Sequence, residues 1–298
     1  MKKRILLFGA NGQLGRSIYI ELSPFFHVIP CIYKNKNELE LFENSEYCIN
    51  VSKLDEVQYI FQKYSPHVVI NSAAYTNVDN CEIYKEIAFN INVKGLKNMV
   101  KCSTKKTHII QISTDYVFDG QKGNYSEFDP TYPKSYYGKI KLEAENFLRG
   151  TNYNWLILRP NVLFGNNLQS NSSFVSWVYN NLKQKKSINV VTDQISNPTW
   201  TTAFAQAIRQ CIFLKSKGIF HYGSDDIKSR YEFAKLIAKI FKFEKKLINP
   251  ITTEKLNQNA ERPLKSDLNI SKIIRQVGVQ TYTLDYCIEQ IRRINFKN

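Results

Sequence analysis

The chain has 298 residues, with 41 Lys and Arg against 26 Asp and Glu and a formal net charge of +15. Its 43% hydrophobic and 13% aromatic content excludes a disordered chain and suffices for one large domain or two smaller ones. No apolar run nears the ~20 residues that span a bilayer, the six cysteines stand apart without CxxC or metal-ligand spacing, and the lysines are spread along the chain with no nucleic-acid-binding motif around them. These features point away from a membrane protein, a metal centre and a nucleic-acid binder, and toward a cytoplasmic protein with reduced thiols. Most of the basic balance reads as general Lys-rich usage on solvated faces, though an anionic substrate would benefit from the field.

The N-terminal "MKKRILLFG" joins a basic start to an apolar run, but Gly9 ends that run too early for a signal peptide. Residues 4–9 read as a first strand and "GQLGRSIYIELS" as the helix after it. Residues 27–33 give the next strand, and "LDEVQYIFQKYS" has helical apolar spacing at Val57, Ile60, Phe61 and Tyr64. A buried strand at 67–74, a long helix "EIAFNINVKGLKNMVKCST", a strand at 108–113, a helix carrying "SYYGKIKLEAE" and a strand at 155–160 follow. Such alternation predicts an α/β fold, a doubly wound parallel sheet covered on both faces. Beyond Gly165 the pattern loosens into helices at "FVSWVYNNLKQ", "TTAFAQAIRQCIFL", "RYEFAKLIAKIF" and "LDYCIEQIRRI". The expected division is a Rossmann domain at 1–165 and a smaller, mainly helical substrate-binding region at 166–298. The two are interleaved, with the sheet completed by a segment near 188–215 and "SINVVTDQ" as a late strand.

Four motifs carry chemistry. In "GANGQLG", Gly9, Gly12 and Gly15 follow a strand and open a helix, where glycines let the backbone approach a pyrophosphate at the helix N-terminus. At the end of the second strand, "PCIYKNKNE" offers Lys34 and Lys36 where an acidic residue would bind a ribose 2′-hydroxyl. Cations suit a 2′-phosphate and so NADPH, while loop length leaves NADH open. "ISTDYVFDG" places the Ser113 and Thr114 hydroxyls at the carboxyl end of a strand, where ligands of such sheets sit. In "SYYGKIKLEAE", Tyr137 and Lys141 are a helical turn apart. An ammonium beside a phenol favours phenolate and lowers its pKa, which suits a proton donor to a carbonyl receiving hydride.

Together "GANGQLG", "NSAAYTNVD", "STDYVFDG", "YGKIKLEAE", "DQISNPTWT" and "ERPLKSDLN" resemble the extended short-chain dehydrogenase/reductases, and within them the dTDP-4-dehydrorhamnose reductase family, from Lys3 to about Arg293. The resemblance implies that Thr114 polarises the substrate C4 carbonyl, that Tyr137 donates the proton, and that Lys141 holds the nicotinamide ribose and lowers the Tyr137 pKa. It assigns Gly9, Asn11, Gly12, Gln13, Leu14 and Gly15 to the pyrophosphate. Ala73, Ala74, Tyr75, Asn92 and Asn161 fall along the rest of the cofactor, with Val162 beside the nicotinamide. Tyr116, Val117, Asn197, Trp200 and Arg262 fall on the nucleotide-sugar side, Arg262 as the diphosphate partner. Each of several residues has a packing alternative: Tyr75 and Tyr116 as core aromatics, Arg262 paired with Glu261, Asp115 as a loop brace, Arg159 as an ion-pair partner. The chain departs from the family at Asn50, where an Asp is common, and at "RPNVLFG", where "RTSWVYG" is frequent.

The implied reaction is NADPH-dependent reduction of dTDP-4-dehydro-L-rhamnose to dTDP-L-rhamnose for surface polysaccharide, with no metal ligand set and a possible homodimer. A dehydratase would carry an Asp-Glu pair after the Thr, whereas this chain reads Thr114, Asp115, Tyr116. The alternatives are a reductase of a different nucleotide-linked 4-keto-sugar and a non-catalytic NADP-binding regulatory subunit of the methionine adenosyltransferase type.

Overall fold

A sheet covered on both sides needs strands that are apolar on both faces, and Ile5, Leu6, Leu7 and Phe8 of the first strand are all fully buried. The structure, a computed structural model, describes residues 2–33, 48–170 and 173–296. Its first half runs β1 (Arg4–Phe8), α1 (Gln13–Leu22), β2 (His27–Cys31), α2 (Leu54–Tyr64), β3 (Val68–Asn71), α3 (Val78–Ile83), α4 (Lys85–Phe89), a π-helical turn (Asn90–Lys94), α5 (Gly95–Cys102), β4 (His108–Ile112), a 3-10 turn (Asp115–Val117), α6 (Tyr136–Arg149) and β5 (Asn154–Pro160). Then come β6 (Leu163–Phe164), α7 (Phe174–Lys183), β7 (Ile188–Val191), β8 (Ile195–Ser196), β9 (Thr199–Trp200), α8 (Thr201–Leu214), β10 (Gly218–Tyr222), β11 (Lys228–Ser229), α9 (Arg230–Phe241), β12 (Ile248–Ile251), α10 (Ser271–Val277) and α11 (Leu284–Asn295).

The main sheet has the order β10-β5-β4-β3-β1-β2, with every pair parallel. This is the doubly wound sheet expected from the alternation. Because β1 is flanked by β2 on one side and β3 on the other, a crevice opens at their carboxyl ends. The sixth strand corrects the sequence reading. Residues 188–215 supply none of this sheet: β7 pairs with β12 in a separate two-stranded sheet, and 201–214 forms α8, which packs on α1. The apolar run at 188–191 is a strand, but its partner "INPI" hides its nature behind Pro250 and an exposed Asn249. The long helix expected at residues 86–104 is α4 and α5 joined by the π-turn, a device common at functional sites.

One apolar cluster runs without a break from Ile5 and Ile18 of the dinucleotide half through Phe204 to Phe233 and Ile288 of the substrate half. A second, with Leu6, Phe8, Val57, Ile60 and Met99, covers the opposite face. The residues before and after 165 therefore share a continuous core.

Beneath the sheet's catalytic edge lies a buried ion pair. Arg159 on β5 donates to Glu145 on α6 through Nε (2.9 Å) and Nη2 (2.6 Å), and both side chains are sealed from solvent. The Ser113 hydroxyl also donates to Glu145, and the Arg159 guanidinium lies 5.2 Å over the Phe118 ring. Its Nη1 meets Nε2 of His221, whose Nδ1 faces the Tyr125 carbonyl at 3.0 Å. Removing one member of a buried pair strands the other, which typically costs ~3–5 kcal/mol. Glu145→Leu and Arg159→Met should each destabilise the protein by that amount in urea unfolding. The double variant should recover part of the loss, because neither charge is then left alone.

Candidate active site

The cofactor end of the site begins where β1 stops. Gly9 has φ +77°, and a Cβ there would lie 2.6 Å from the Ala73 amide nitrogen. A Cβ on Gly15 would collide with the Gly9 carbonyl, so α1 can press against the turn only because Gly15 has none. The Gly9 and Ala10 amides are tied to the Cys31 carbonyl at 2.9 and 3.2 Å, and Gly12 caps α1 without any side-chain bond. No side-chain cap therefore covers the start of α1, where the helix favours an anion. Leu14 is buried in the core, so only its backbone faces this turn, while Asn11 reaches the Tyr33 carbonyl at 3.4 Å. Lys34 and Lys36 lie outside the described residues.

After β3, the loop of Ala73, Ala74 and Tyr75 is fixed by Asn92. Its side-chain oxygen accepts from the Tyr75 amide and its nitrogen donates to the Tyr75 carbonyl, each at 3.2 Å. The π-turn aims this buried amide at the loop. Asn50 is likewise engaged locally, accepting from the Ser52 amide and hydroxyl.

The reacting edge follows β4. Thr114 caps the 3-10 turn, accepting from the Tyr116 amide (3.2 Å) and donating to Asp115 Oδ1 (3.0 Å). α6 starts at Ser135, whose hydroxyl accepts from the Gly138 amide at 3.2 Å. Gly138 has no room for a Cβ against the Tyr116 carbonyl, and this close approach sets Tyr137 edge-on to Tyr116 with centroids 5.9 Å apart. Thr114, Tyr137 and Lys141 are all buried.

The electrostatics differ from the sequence expectation. Burial, then the Asp115 charge, holds the Tyr137 phenol well above its usual range, with the Thr114 hydroxyl acting the other way. The Lys141 Nζ is turned instead to the Ile112 carbonyl, to which it donates at 2.6 Å. Burial brings Lys141 itself down to about 8, opposed by Glu145. The phenol is thereby kept protonated, the form a proton donor requires. Burial also raises Asp115 to about 6.

The substrate end is a cavity of about 420 Å³ lined by Tyr116, Val162, Leu163, Phe174, Arg230 and Arg262 among others. Arg262 is already paired: its fork grips Asp79 at 2.6 and 2.5 Å and donates to the Ala260 carbonyl at 2.7 Å. Asp79, held below the usual carboxylate range by this contact, replaces the expected Glu261, which faces Lys134 instead.

Four predicted residues occupy bracing positions away from that lining. Val117 is fully buried with Phe118, Tyr125 and Leu268. Asn197 bonds both the amide and the carbonyl of Leu268, at 2.9 and 3.0 Å. Trp200 donates to Asn166 Oδ1 at 2.8 Å and packs on Tyr282 and Tyr286. Asn161 spends its amide on the Ser266 carbonyl and the Val162 amide. In the other direction, Arg230 and Phe174 were not singled out from sequence. The available signal was a cation in the first turn of a helix, where the dipole favours acids.

A parallel doubly wound sheet with a glycine turn after β1 and a Thr, Tyr and Lys set at the β4 edge defines an extended short-chain dehydrogenase/reductase. The chain belongs to the family described as the RmlD substrate binding domain, whose model matches residues 2–293. It is 32% identical over 302 residues to dTDP-4-dehydrorhamnose reductase of Aggregatibacter actinomycetemcomitans, covering 97% of this chain and 98% of that one. It superposes on the crystal structure of the Bacillus anthracis dTDP-4-dehydrorhamnose reductase in complex with NADP with a TM-score of 0.87 at 29% identity, covering 99% of this chain and 100% of that one. It is also 30% identical to the Danio rerio methionine adenosyltransferase 2 subunit beta, over 91% of this chain and 84% of that one. Among the described residues no helix is long and apolar enough to cross a membrane, and no group of three or more His, Cys, Asp and Glu side chains could hold a metal ion.

The depressed Lys141 pKa has a signed consequence. Between pH 8 and 10.5 the unfolded chain carries a proton that the folded chain has released, so this group's contribution to stability rises with pH through that window. Its use as a cation runs the opposite way and is lost above about pH 8. NADPH affinity, followed by fluorescence titration, should weaken as pH rises through about 8. In Lys141→Met it should be weak and flat across the same range.

Proposed function

We propose that this chain reduces the C4 keto group of a nucleotide-linked 4-keto-6-deoxy-sugar, with dTDP-4-dehydro-L-rhamnose as substrate and dTDP-L-rhamnose, for surface polysaccharide, as product. The observation that carries this reading is the buried Thr114 and Tyr137 pair, accompanied by the glycine turn after β1 and a cavity lined by two arginines. The glycine turn fits a dinucleotide: Gly9 and Gly15 let the turn fold tightly against Ala73 and α1, and a turn free of side chains is what a pyrophosphate needs to approach the backbone. NADPH, when bound, supplies the hydride. In this reading Gly9, Asn11, Gly12, Gln13, Leu14 and Gly15 hold the pyrophosphate, and Lys34 and Lys36 hold the 2′-phosphate. The loop at Ala73, Ala74 and Tyr75, fixed by Asn92, lies along the cofactor.

The reaction asks one proton of the protein. Thr114 turns its hydroxyl from Asp115 to the substrate C4 oxygen and polarises that carbonyl. Tyr137 then delivers its phenolic proton to the same oxygen as negative charge develops there. Lys141, one helical turn along and tied to the Ile112 carbonyl, holds the nicotinamide ribose, and a solvent proton restores the phenol. Tyr116 and Val162 wall the sugar. The reading places the enzyme in the cytoplasm, where nucleotide sugars and NADPH are available, and takes it as a homodimer.

Positioned general acids contribute roughly 10²–10⁴-fold to turnover. Tyr137→Phe should therefore lower kcat for NADPH oxidation on dTDP-4-keto-6-deoxy-L-sugar, generated in place, by at least about 100-fold. NADPH affinity should stay within about twofold, and dTDP-glucose serves as the inert control. Unchanged turnover in that variant would overturn the assignment. Tight NADPH binding without oxidation of any nucleotide 4-keto-sugar, together with co-purification of a methionine adenosyltransferase, would establish the regulatory reading instead.

A further inference from the structure

The cavity of about 420 Å³ has two cations in its lining and no carboxylate. The two are not equivalent. Arg262 is neutralised by the bidentate Asp79 contact. Arg230, the first residue of α9, has no carboxylate within salt-bridge distance among the described residues, and its guanidinium lies 5.0 Å over the Phe174 ring. Its surroundings in the cleft are the Tyr116 phenol, the Asp115 carboxyl and the like charge of Arg262, and burial lowers its pKa. The nearest acid on its own helix, Glu232, is committed to the Ser229 amide and hydroxyl in a capping box at 2.8 and 2.9 Å. The remaining polar lining, Ser173, Asn189, Gln194 and Gln258, is neutral.

Arg230 is half-buried, and a guanidinium partly withdrawn from water without a carboxylate to pair with costs free energy in the folded protein. The stack on Phe174 fixes its plane and lowers the entropy lost when the fork engages a ligand. A fork held in this way matches the paired oxygens of a phosphoryl group. Resting on the reading of the substrate as a nucleotide sugar, we propose that Arg230, stacked on Phe174, grips the diphosphate of that substrate, and that Arg262 holds the cleft loop to α3. The diphosphate anchor thus comes from the start of α9, one end of the cavity, with Tyr116 between it and the reacting edge. Phe174 and the neighbouring Trp177, with ring centroids 5.8 Å apart, give the nucleobase an aromatic wall beside it.

The test is calorimetric titration of dTDP, and of thymidine as the uncharged control, into full-length protein saturated with NADP. Wild type should bind dTDP. Arg230→Gln should weaken dTDP about 30-fold, the range of a lost charge-assisted fork. Arg230→Lys should fall between the two, since it keeps the charge without the fork. Thymidine binding and NADPH affinity should stay within about twofold in both variants, which also verifies their fold. A dTDP affinity in Arg230→Gln within threefold of wild type, or a larger loss in Arg262→Gln than in Arg230→Gln, would overturn the assignment of Arg230 while leaving the nucleotide-sugar reading intact. If wild type binds none of dTDP, UDP, GDP or ADP, the assignment fails together with that reading.

Discussion

No water reaches the Glu145 carboxylate, and three donors converge on it: the Ser113 hydroxyl at the end of β4, and the Arg159 Nε and Nη2 groups from β5. This junction ties α6 to the two strands whose ends frame the chemistry. Thr114 follows Ser113 directly, and Tyr137 and Lys141 stand on the same helix as Glu145. A charge left unpaired here would be intolerable in so dry a place, so the geometry is held by the penalty for breaking it more than by the gain in making it. Glu145 also acts on Lys141 through its field, favouring the ammonium that burial disfavours. One side chain therefore sets both where α6 lies and how much charge its lysine carries.

The close approach of Gly138 to the Tyr116 carbonyl does for shape what Glu145 does for charge. It lets α6 press on the turn after Thr114, so the hydroxyl and the phenol share one small dry space. In that space the phenol's own desolvation outweighs any help from the lysine. The protonated form is thus the resting form, and the negative charge is met only as the proton leaves.

Much of this was legible in the chain. Gly9, Gly12 and Gly15 announce themselves because strand, turn and helix are contiguous, and Tyr137 and Lys141 because a four-residue spacing puts them on one helical face. Spacing says nothing of where a long side chain ends, which is why the turn of Lys141 toward the Ile112 carbonyl was invisible. The substrate side was harder to read. Arg230, Phe174 and Tyr116 stand on different elements, and only the fold makes them neighbours. Val117, Asn197, Trp200 and Asn161 belong to segments that mark the family, yet Val117 is packed in the core, the two asparagines are spent on backbone groups and Trp200 on Asn166. The sixth strand was missed for a similar reason. "GIFHY" begins with a glycine and carries a histidine, and its place beside β5 follows from α8 packing on α1, a contact between residues far apart in the chain.

The unbroken apolar cluster has a consequence for how such a protein can be built and altered. Its substrate half donates α8 to the layer under the sheet and β10 to the sheet itself, so a cut at residue 165 would tear both a core and a hydrogen-bonded ladder. Neither fragment would keep a closed interior. This architecture must then be altered residue by residue within a fixed frame, because the residues after 165 cannot be exchanged as a module without unmaking the sheet before them.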